Sequence, residues 1–334
     1  MRVRTERTGK IFELREPFRS GGEGTIYKVP RYPNLAAKVY HAQRRSSERI
    51  AKLQIMVAHP PDNPTERLNH PSIAWPTELL RDTATHQLVG FVMPRVERML
   101  PLSEVYNPRA RRQQLPLFNY RYLVRTARNL CAAVQAVHRA GYVIGDLNES
   151  NVLVSDQALV TIVDTDSFQV CDPRTGVVYR SLVGKPEYTP PELQGCSFAN
   201  VDRLPEHDAF ALAVLVFRLL MEGFHPFDGK YNGRGEPPEI DQRIAKGYFP
   251  YARGSTPIKP PPLAPPFEML HSEIRALFLR CFEEGYRNRS VRPRVEDWLR
   301  ALDKVEESLR RCGRNEQHYY WVHMQGCPWC ARQQ

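Results

Sequence analysis

The sequence lacks any apolar run long enough to cross a membrane. Its longest, Ala209 to Phe217, stops at Arg218, far short of the roughly 20 residues a spanning helix needs, so it reads as a buried helix. No apolar core of a secretion signal follows the charged start Met1-Arg2-Val3-Arg4-Thr5-Glu6-Arg7. Both absences lead to the expectation of a cytoplasmic protein with no membrane contact. A disulfide framework is also missing, because 7 cysteines make an odd count and no secretion signal accompanies them. Cys131, Cys171, Cys196 and Cys281 are scattered. No glycine-rich stretch ends in Gly-Lys-Ser/Thr, which excludes a Walker A loop, and no internal repeat marks a solenoid. Acidic residues are outnumbered 37 to 47, for a net charge of +10. Arginines gather at Arg109, Arg111, Arg112, Arg121, Arg125 and Arg128. They read as a solvated helix face plus a loop, with a nucleic-acid or acidic-partner surface as the weaker alternative.

What is present is an ordinary globular composition, 42% hydrophobic and 25% charged. Residues 10 to 40 read as short strands around a glycine-rich turn. Ser47 to Met56 has helical spacing with Ser46 or Ser47 as cap. Leu88 to Met93 is a strand that Pro94 ends. Tyr120 to Ala140 is a long amphipathic helix, Val152–Val154 and Leu159–Val163 form a hairpin, and His207 to Met221 is apolar all round. Ile274–Phe282 and Val295–Leu309 are further helices. Pro257 to Pro266 reads as an extended surface connector. Strands first and helices later, with the break near residues 94 to 97, predict an α+β protein of two lobes around a cleft.

The chemistry lies in spaced polar residues. Gly21-Gly22-Glu23-Gly24 lets backbone N–H groups approach a polyphosphate. Lys38, on the apolar strand Ala36-Ala37-Lys38-Val39, needs a charged partner. Asp146 and Asn151, in Asp146-Leu147-Asn148-Glu149-Ser150-Asn151, can share one cleft edge. The carboxylate can take a hydroxyl proton, and the amide oxygen can hold a metal. Asp164 follows in Val163-Asp164-Thr165-Asp166-Ser167-Phe168, and Mg²⁺ favours such oxygen ligands.

This ordered set resembles the Hanks-type (eukaryotic-like) serine/threonine protein kinases. Gly184-Lys185-Pro186-Glu187-Tyr188-Thr189-Pro190-Pro191-Glu192 looks like the end of an activation segment. Asp208 stands where the family braces its catalytic loop, and Arg292 where an arginine pairs with the segment-ending glutamate, here Glu192. The resemblance implies a bilobal kinase fold over residues 10 to 305, with an N-lobe to 93, a hinge at 94 to 96 and a C-lobe from 97. It implies ATP and Mg²⁺ as cofactors and a protein substrate, with the chain itself among the candidates. Asp146 is then the base, with Lys38, Asn151 and Asp164 as catalytic partners. Gly22, Gly24, Val29, Ala36, Lys38, Met93, Pro94, Val96 and Leu153 bind ATP. Glu48 is the expected helix partner of Lys38, and Asp166 shares the metal role with Asn151 and Asp164.

Four departures stand out. Tyr27 stands for the third loop glycine, Ile144-Gly145 for the usual His-Arg, and Asn148 for a lysine that steadies the γ-phosphate. The helix glutamate is not obvious. These changes keep a nucleotide-binding pseudokinase scaffold as the alternative function. The pattern Asp164-Thr165-Asp166-Ser167-Phe168-Gln169 resembles a bacterial subgroup of stress-response and tellurite-resistance phosphorylation modules. A cognate phosphatase or a metal-binding adaptor would be partners there. Residues 306 to 334 form a tail in which Cys312, His318, Cys327 and Cys330 suit a structural Zn²⁺. His323 is an alternative fourth ligand.

Overall fold

Alternation of apolar and polar residues builds the first part of the chain. The computed structural model describes residues 1–332, so the last two residues of the tail lie outside the described residues. Seven strands form an antiparallel sheet: β1 (Arg2–Thr5), β2 (Ile11–Glu13), β3 (Pro17–Ser20), β4 (Gly24–Lys28), β5 (Leu35–Tyr40), β6 (Glu78–Asp82) and β7 (Leu88–Pro94). Their order is β2-β1-β6-β7-β5-β4-β3. The sheet starts at Arg2 rather than near residue 10. Val3 and Thr5 turn inward while Arg2 and Arg4 stay exposed, a period of two hidden among charges.

One sheet face packs a small core of its own, with Val3, Val29, Ala37, Val39, Leu80 and Val92. The other face looks toward the helical part. Helix α1 (Ser47–Ala58) crosses that side and starts as expected at Ser46, whose Oγ accepts from the Arg49 N–H at 3.2 Å. It buries Lys52, Leu53 and Met56.

The second lobe is built on three helices, Tyr120–Arg139, Pro205–Leu220 and Val295–Glu307. The apolar Pro205–Leu220 helix sits in the main core, buried at almost every position. The expected hairpin is present as Val152–Val154 paired with Val160–Ile162, and Leu100–Pro101 adds a third strand. The helix from Ser272 ends at Leu279 and continues as a π-helical turn, Arg280–Glu284. In the proline-rich stretch, Ile258–Lys259 pairs with Lys230–Tyr231.

The arginine group is largely paired. Arg111 is buried, donating to the Val105 carbonyl at 2.8 Å and pairing with Glu222. Arg121 and Arg125 share Glu306, and Arg128 meets Asp303. These last three tie the Tyr120–Arg139 helix to the Val295–Glu307 helix.

The tail docks on this lobe. Leu309–Arg311 pairs with Tyr319–Trp321. Trp321 is fully buried edge-on to Tyr120, and its Nε1 donates to the Val305 carbonyl at 3.0 Å. Burial of a side chain this large contributes on the order of 3 kcal/mol.

Candidate active site

A cleft of about 420 Å³ lies between the lobes. It brings together Gly22, Gly24, Ala36, Lys38, Met93, Pro94, Val96, Asp146, Asn151, Leu153, Asp164 and Asp166, residues that the sequence singled out across 145 positions of chain from Gly22 to Asp166. Val29 is the exception. Cross-strand register pairs Ile26 with Lys38 and Lys28 with Ala36, so even-numbered β4 residues face the cleft. Val29, an odd number away, points into the small core on the opposite face, and Ile26 lines the cleft in its place. The same parity corrects the glycine count. Tyr27 packs on the far face, and Gly24 is the position that must lack a side chain, because a Cβ there would meet the Val39 carbonyl oxygen at 2.4 Å. At the hinge, Arg95 spends its N–H on the Asn34 carbonyl at 2.8 Å, whereas the Val96 N–H has no acceptor among the described residues.

Lys38 is buried and its ammonium is surrounded by acids. It lies 2.7 Å from both Asp166 oxygens, 3.0 Å from Asp164 and 3.6 Å from Glu23. The Tyr40 hydroxyl donates to Asp166 at 2.6 Å. Burial works against the charge on Lys38, but Asp166 and Asp164 outweigh it and raise its pKa. Burial would likewise raise the Asp166 carboxyl. Lys38 and Tyr40 reverse that and hold it below the usual carboxylate range.

Glu48 does not take part. It is exposed in the first turn of α1. One turn later Lys52 faces inward, and its ammonium donates to the Asp166 backbone carbonyl at 2.7 Å. Burial pushes Lys52 down to about 8. The helix therefore presents a cation where a glutamate was expected, and the counter-charge for Lys38 comes from Asp166. Asp166 accordingly anchors Lys38, its oxygens being engaged by Lys38 and Tyr40.

The loop that carries Asp146 and Asn151 is held in place by Asp208. Asp208 accepts the N–H groups of Ile144 (2.7 Å) and Gly145 (2.8 Å) and bonds His138 at 2.9 Å, the bracing role expected of it. Asp146 receives Asn148 Nδ2 at 2.8 Å and Asn151 Nδ2 at 3.2 Å. Burial raises its carboxyl pKa despite these bonds. Arg292 grips Glu192 through two 2.7 Å bonds, as anticipated, in bidentate geometry.

Arg203 was missed by sequence reasoning. It is buried, and its guanidinium donates to the Gly145 carbonyl at 2.8 Å and the Val183 carbonyl at 3.2 Å. It thus joins the catalytic loop to the activation segment. Gly145 makes room for this. Its φ is +74°, and a Cβ there would lie 2.6 Å from Ser181 Cβ. Lys185, from the same segment, bonds Ser150 at 2.8 Å and Glu149 at 3.0 Å.

The residues fit a hard divalent cation. Asp164 is exposed and adopts a left-handed backbone with φ 59°, a conformation that costs about 1 kcal/mol in a non-glycine residue. Asn151 gives its NH₂ to Asp146, so its carbonyl oxygen is the atom left for a cation. Carboxylate oxygens of Glu23, Asp164 and Asp166 lie within 4.8 Å of one another.

A sequence profile of the protein kinase domain matches residues 21–296. The chain belongs to the protein kinase family. The kinase is 34% identical over 329 residues to "Protein kinase YegI" of Escherichia coli K12, covering 97% of this chain and 49% of that protein. It is 33% identical to the O157:H7 form over the same length. It thus spans about half the length of these curated relatives. A 105-residue stretch is 33% identical to the maternal embryonic leucine zipper kinase of Danio rerio, covering 30% of this chain and 14% of that protein.

The kinase carries a second constellation in its tail. Cys312, His318, Cys327 and Cys330 have their ligand atoms within 4.8 Å of one another. His318 Nδ1 lies 3.6 Å from Cys327 Sγ and 3.5 Å from Cys330 Sγ. The Arg314 N–H donates to Cys312 Sγ at 3.3 Å and, ahead of other causes, lowers that thiol to about 7. His323 is turned away and bonds the Glu268 carbonyl at 3.1 Å.

Proposed function

We propose that this kinase transfers the γ-phosphoryl group of ATP to serine or threonine hydroxyls of a protein substrate, itself included. The observation that carries the proposal is the shared cleft. Asp146, Asn151, Lys38 and Asp164 all line it, together with Gly22 and Gly24 of the glycine-rich turn. Adenine would sit between Ile26, Ala36 and Leu153, with the Val96 N–H as donor. Lys38 would meet phosphate oxygens, and the buried, less acidic Asp146 suits proton acceptance from a hydroxyl. Asn151 and Asp164 would hold Mg²⁺, which supplies positive charge to the phosphates when bound.

The test is incubation with labelled ATP and Mg²⁺, with and without a generic protein substrate, beside Asp146→Asn. Transfer that disappears in the variant, with label on Ser or Thr, is the expected outcome. ATP binding without transfer would replace this proposal with a pseudokinase scaffold, which the neutral Asn148 favours.

The tail constellation supports a tetrahedral Zn²⁺ held by Cys312, His318, Cys327 and Cys330, since three thiols and one imidazole match its preference. The Asp164–Gln169 pattern is the feature that favours a cytoplasmic stress or tellurite-resistance phosphorylation module. A phosphatase or a metal-binding adaptor would be its partner there.

A further inference from the structure

We propose that Lys185 is a catalytic residue that steadies the transferred phosphoryl group, replacing the lysine that the catalytic loop lacks at Asn148. The inference rests on the kinase function proposed above. Asn148 cannot supply this charge. It is neutral and buried, and its amide is used within the loop. Nδ2 donates to the Asp146 side chain and carbonyl, and Oδ1 accepts from the Ser150 N–H at 3.0 Å and hydroxyl at 2.6 Å.

Lys185 approaches the same turn from the activation segment. Its ammonium lies 2.8 Å from Ser150 Oγ and 3.0 Å from Glu149 Oε1. It is therefore held over the residues between Asp146 and Asn151, and Ser150 itself lines the cleft. An ammonium has three donors. Two are used here, and the side chain is 39% exposed, so one donor is left for a phosphoryl oxygen. Its charge is also felt at Asp146, where it opposes the effect of burial.

Other cations near the cleft are otherwise engaged or elsewhere. Lys38 is ringed by Asp164, Asp166 and Glu23. Lys52 is bound to the Asp166 carbonyl behind it. Arg203 gives its terminal donors to backbone carbonyls. Arg19 lines the cleft from β3, in the sheet that roofs it.

In the transfer, the substrate hydroxyl oxygen forms a bond to Pγ, and its proton passes to the Asp146 carboxylate. The bond from Pγ to the bridging oxygen breaks, and ADP leaves with the electron pair. Lys185 neither gains nor loses a proton. It offsets negative charge on the phosphoryl oxygens as they move. Because this charge rides on the activation segment, transfer depends on that segment being seated by Arg203.

The experiment compares kcat and the KM for ATP in wild type, Lys185→Ala, Lys185→Arg and the double variant Asn148→Lys/Lys185→Ala. Asp146→Asn is the inactive control, and melting temperatures confirm folding. Lys185→Ala should lower kcat about 100-fold while KM for ATP stays within about threefold. Arginine at 185, or lysine returned to 148, should recover at least about tenfold of the loss. A role confined to holding Glu149 and Ser150 would not be rescued from position 148. Should Lys185→Ala not fold, Lys185→Met keeps the stem and gives the same comparison. A kcat within threefold of wild type, or a loss that neither replacement recovers, overturns the assignment. A wild type that transfers nothing defeats the kinase proposal itself, whereas an active wild type with an undiminished Lys185→Ala defeats only this inference.

Discussion

Lys38 and Asp166, 128 residues apart in the chain, meet with the ammonium 2.7 Å from each carboxylate oxygen. The pair lies inside the protein, with side-chain exposures of 8% and 3%. Removing one partner of such a pair leaves a buried charge without compensation. Asp166→Asn should therefore lower kcat/KM about 100-fold, close to the effect of Lys38→Met. Glu48→Ala, on the exposed side of α1, should stay within about twofold. Steady-state kinetics on the three variants decide the point, and an equal loss in Glu48→Ala would return the anchoring role to the helix.

Arg203 should make activity independent of segment phosphorylation. Its donors meet backbone carbonyls of Gly145 and Val183, so no phosphate is required to engage it. Phosphatase-treated protein is expected to keep full activity. Arg203→Ala should lose about tenfold or more in activity and about 1 kcal/mol in stability, since two part-buried carbonyls lose their donors. Loss of activity on phosphatase treatment would contradict this.

Zinc analysis of purified protein should give one ion per chain. Cys327→Ser should lower that content and increase the exposure of Trp321, read as a red shift in its fluorescence. ATP affinity should change little, because the tail docks on Tyr120 and Val305, residues that do not line the cleft. Normal metal content in Cys327→Ser would remove that thiol from the ligand set.

His225 predicts an acid-sensitive fold. Its Nε2 bonds the Glu187 carbonyl at 2.9 Å, and its Nδ1 accepts the Phe227 N–H at 3.2 Å. Only a neutral ring can do both. Burial pushes its pKa down to about 3, against about 6.5 in an unfolded chain. Between those values the unfolded state binds a proton that the native state refuses, so stability falls as pH drops from 6.5 toward 3. The slope is about 1.4 kcal/mol per pH unit. Urea denaturation at pH 6.5 and 5.5 should show wild type losing about 1 kcal/mol more than His225→Gln. Equal losses would mean the native ring titrates normally.

The motifs legible in the sequence were those whose members are close together or carry recognisable spacing. Asp146 with Asn151, the bracing Asp208 and the Arg292–Glu192 pair all fell where order predicted. Contacts set by three-dimensional register were not legible. Ile26 and Val29 are both β-branched residues near the glycines, and only strand pairing tells which one faces the cleft. On α1 it is Lys52 that faces inward, a cation whose charge does not mark it as a partner for Lys38. The solution, a carboxylate at 166 serving Lys38 and a carbonyl at 166 serving Lys52, joins segments more than a hundred residues apart. Arg203 and Lys185 likewise stand far in sequence from the loop positions whose roles they take up.

Gly145 closes a route of change. An arginine restored at that position would need a side chain at φ +74° and a Cβ only 2.6 Å from Ser181 Cβ. Its guanidinium would also enter a space where Arg203 is in place. Converting this kinase to phosphate-gated control thus calls for coordinated replacement at 145, 181 and 203. Replacing Arg203 alone removes the donors to Gly145 and Val183 before any gate exists. For evolution and for the protein engineer alike, the ungated state behaves as a ratchet.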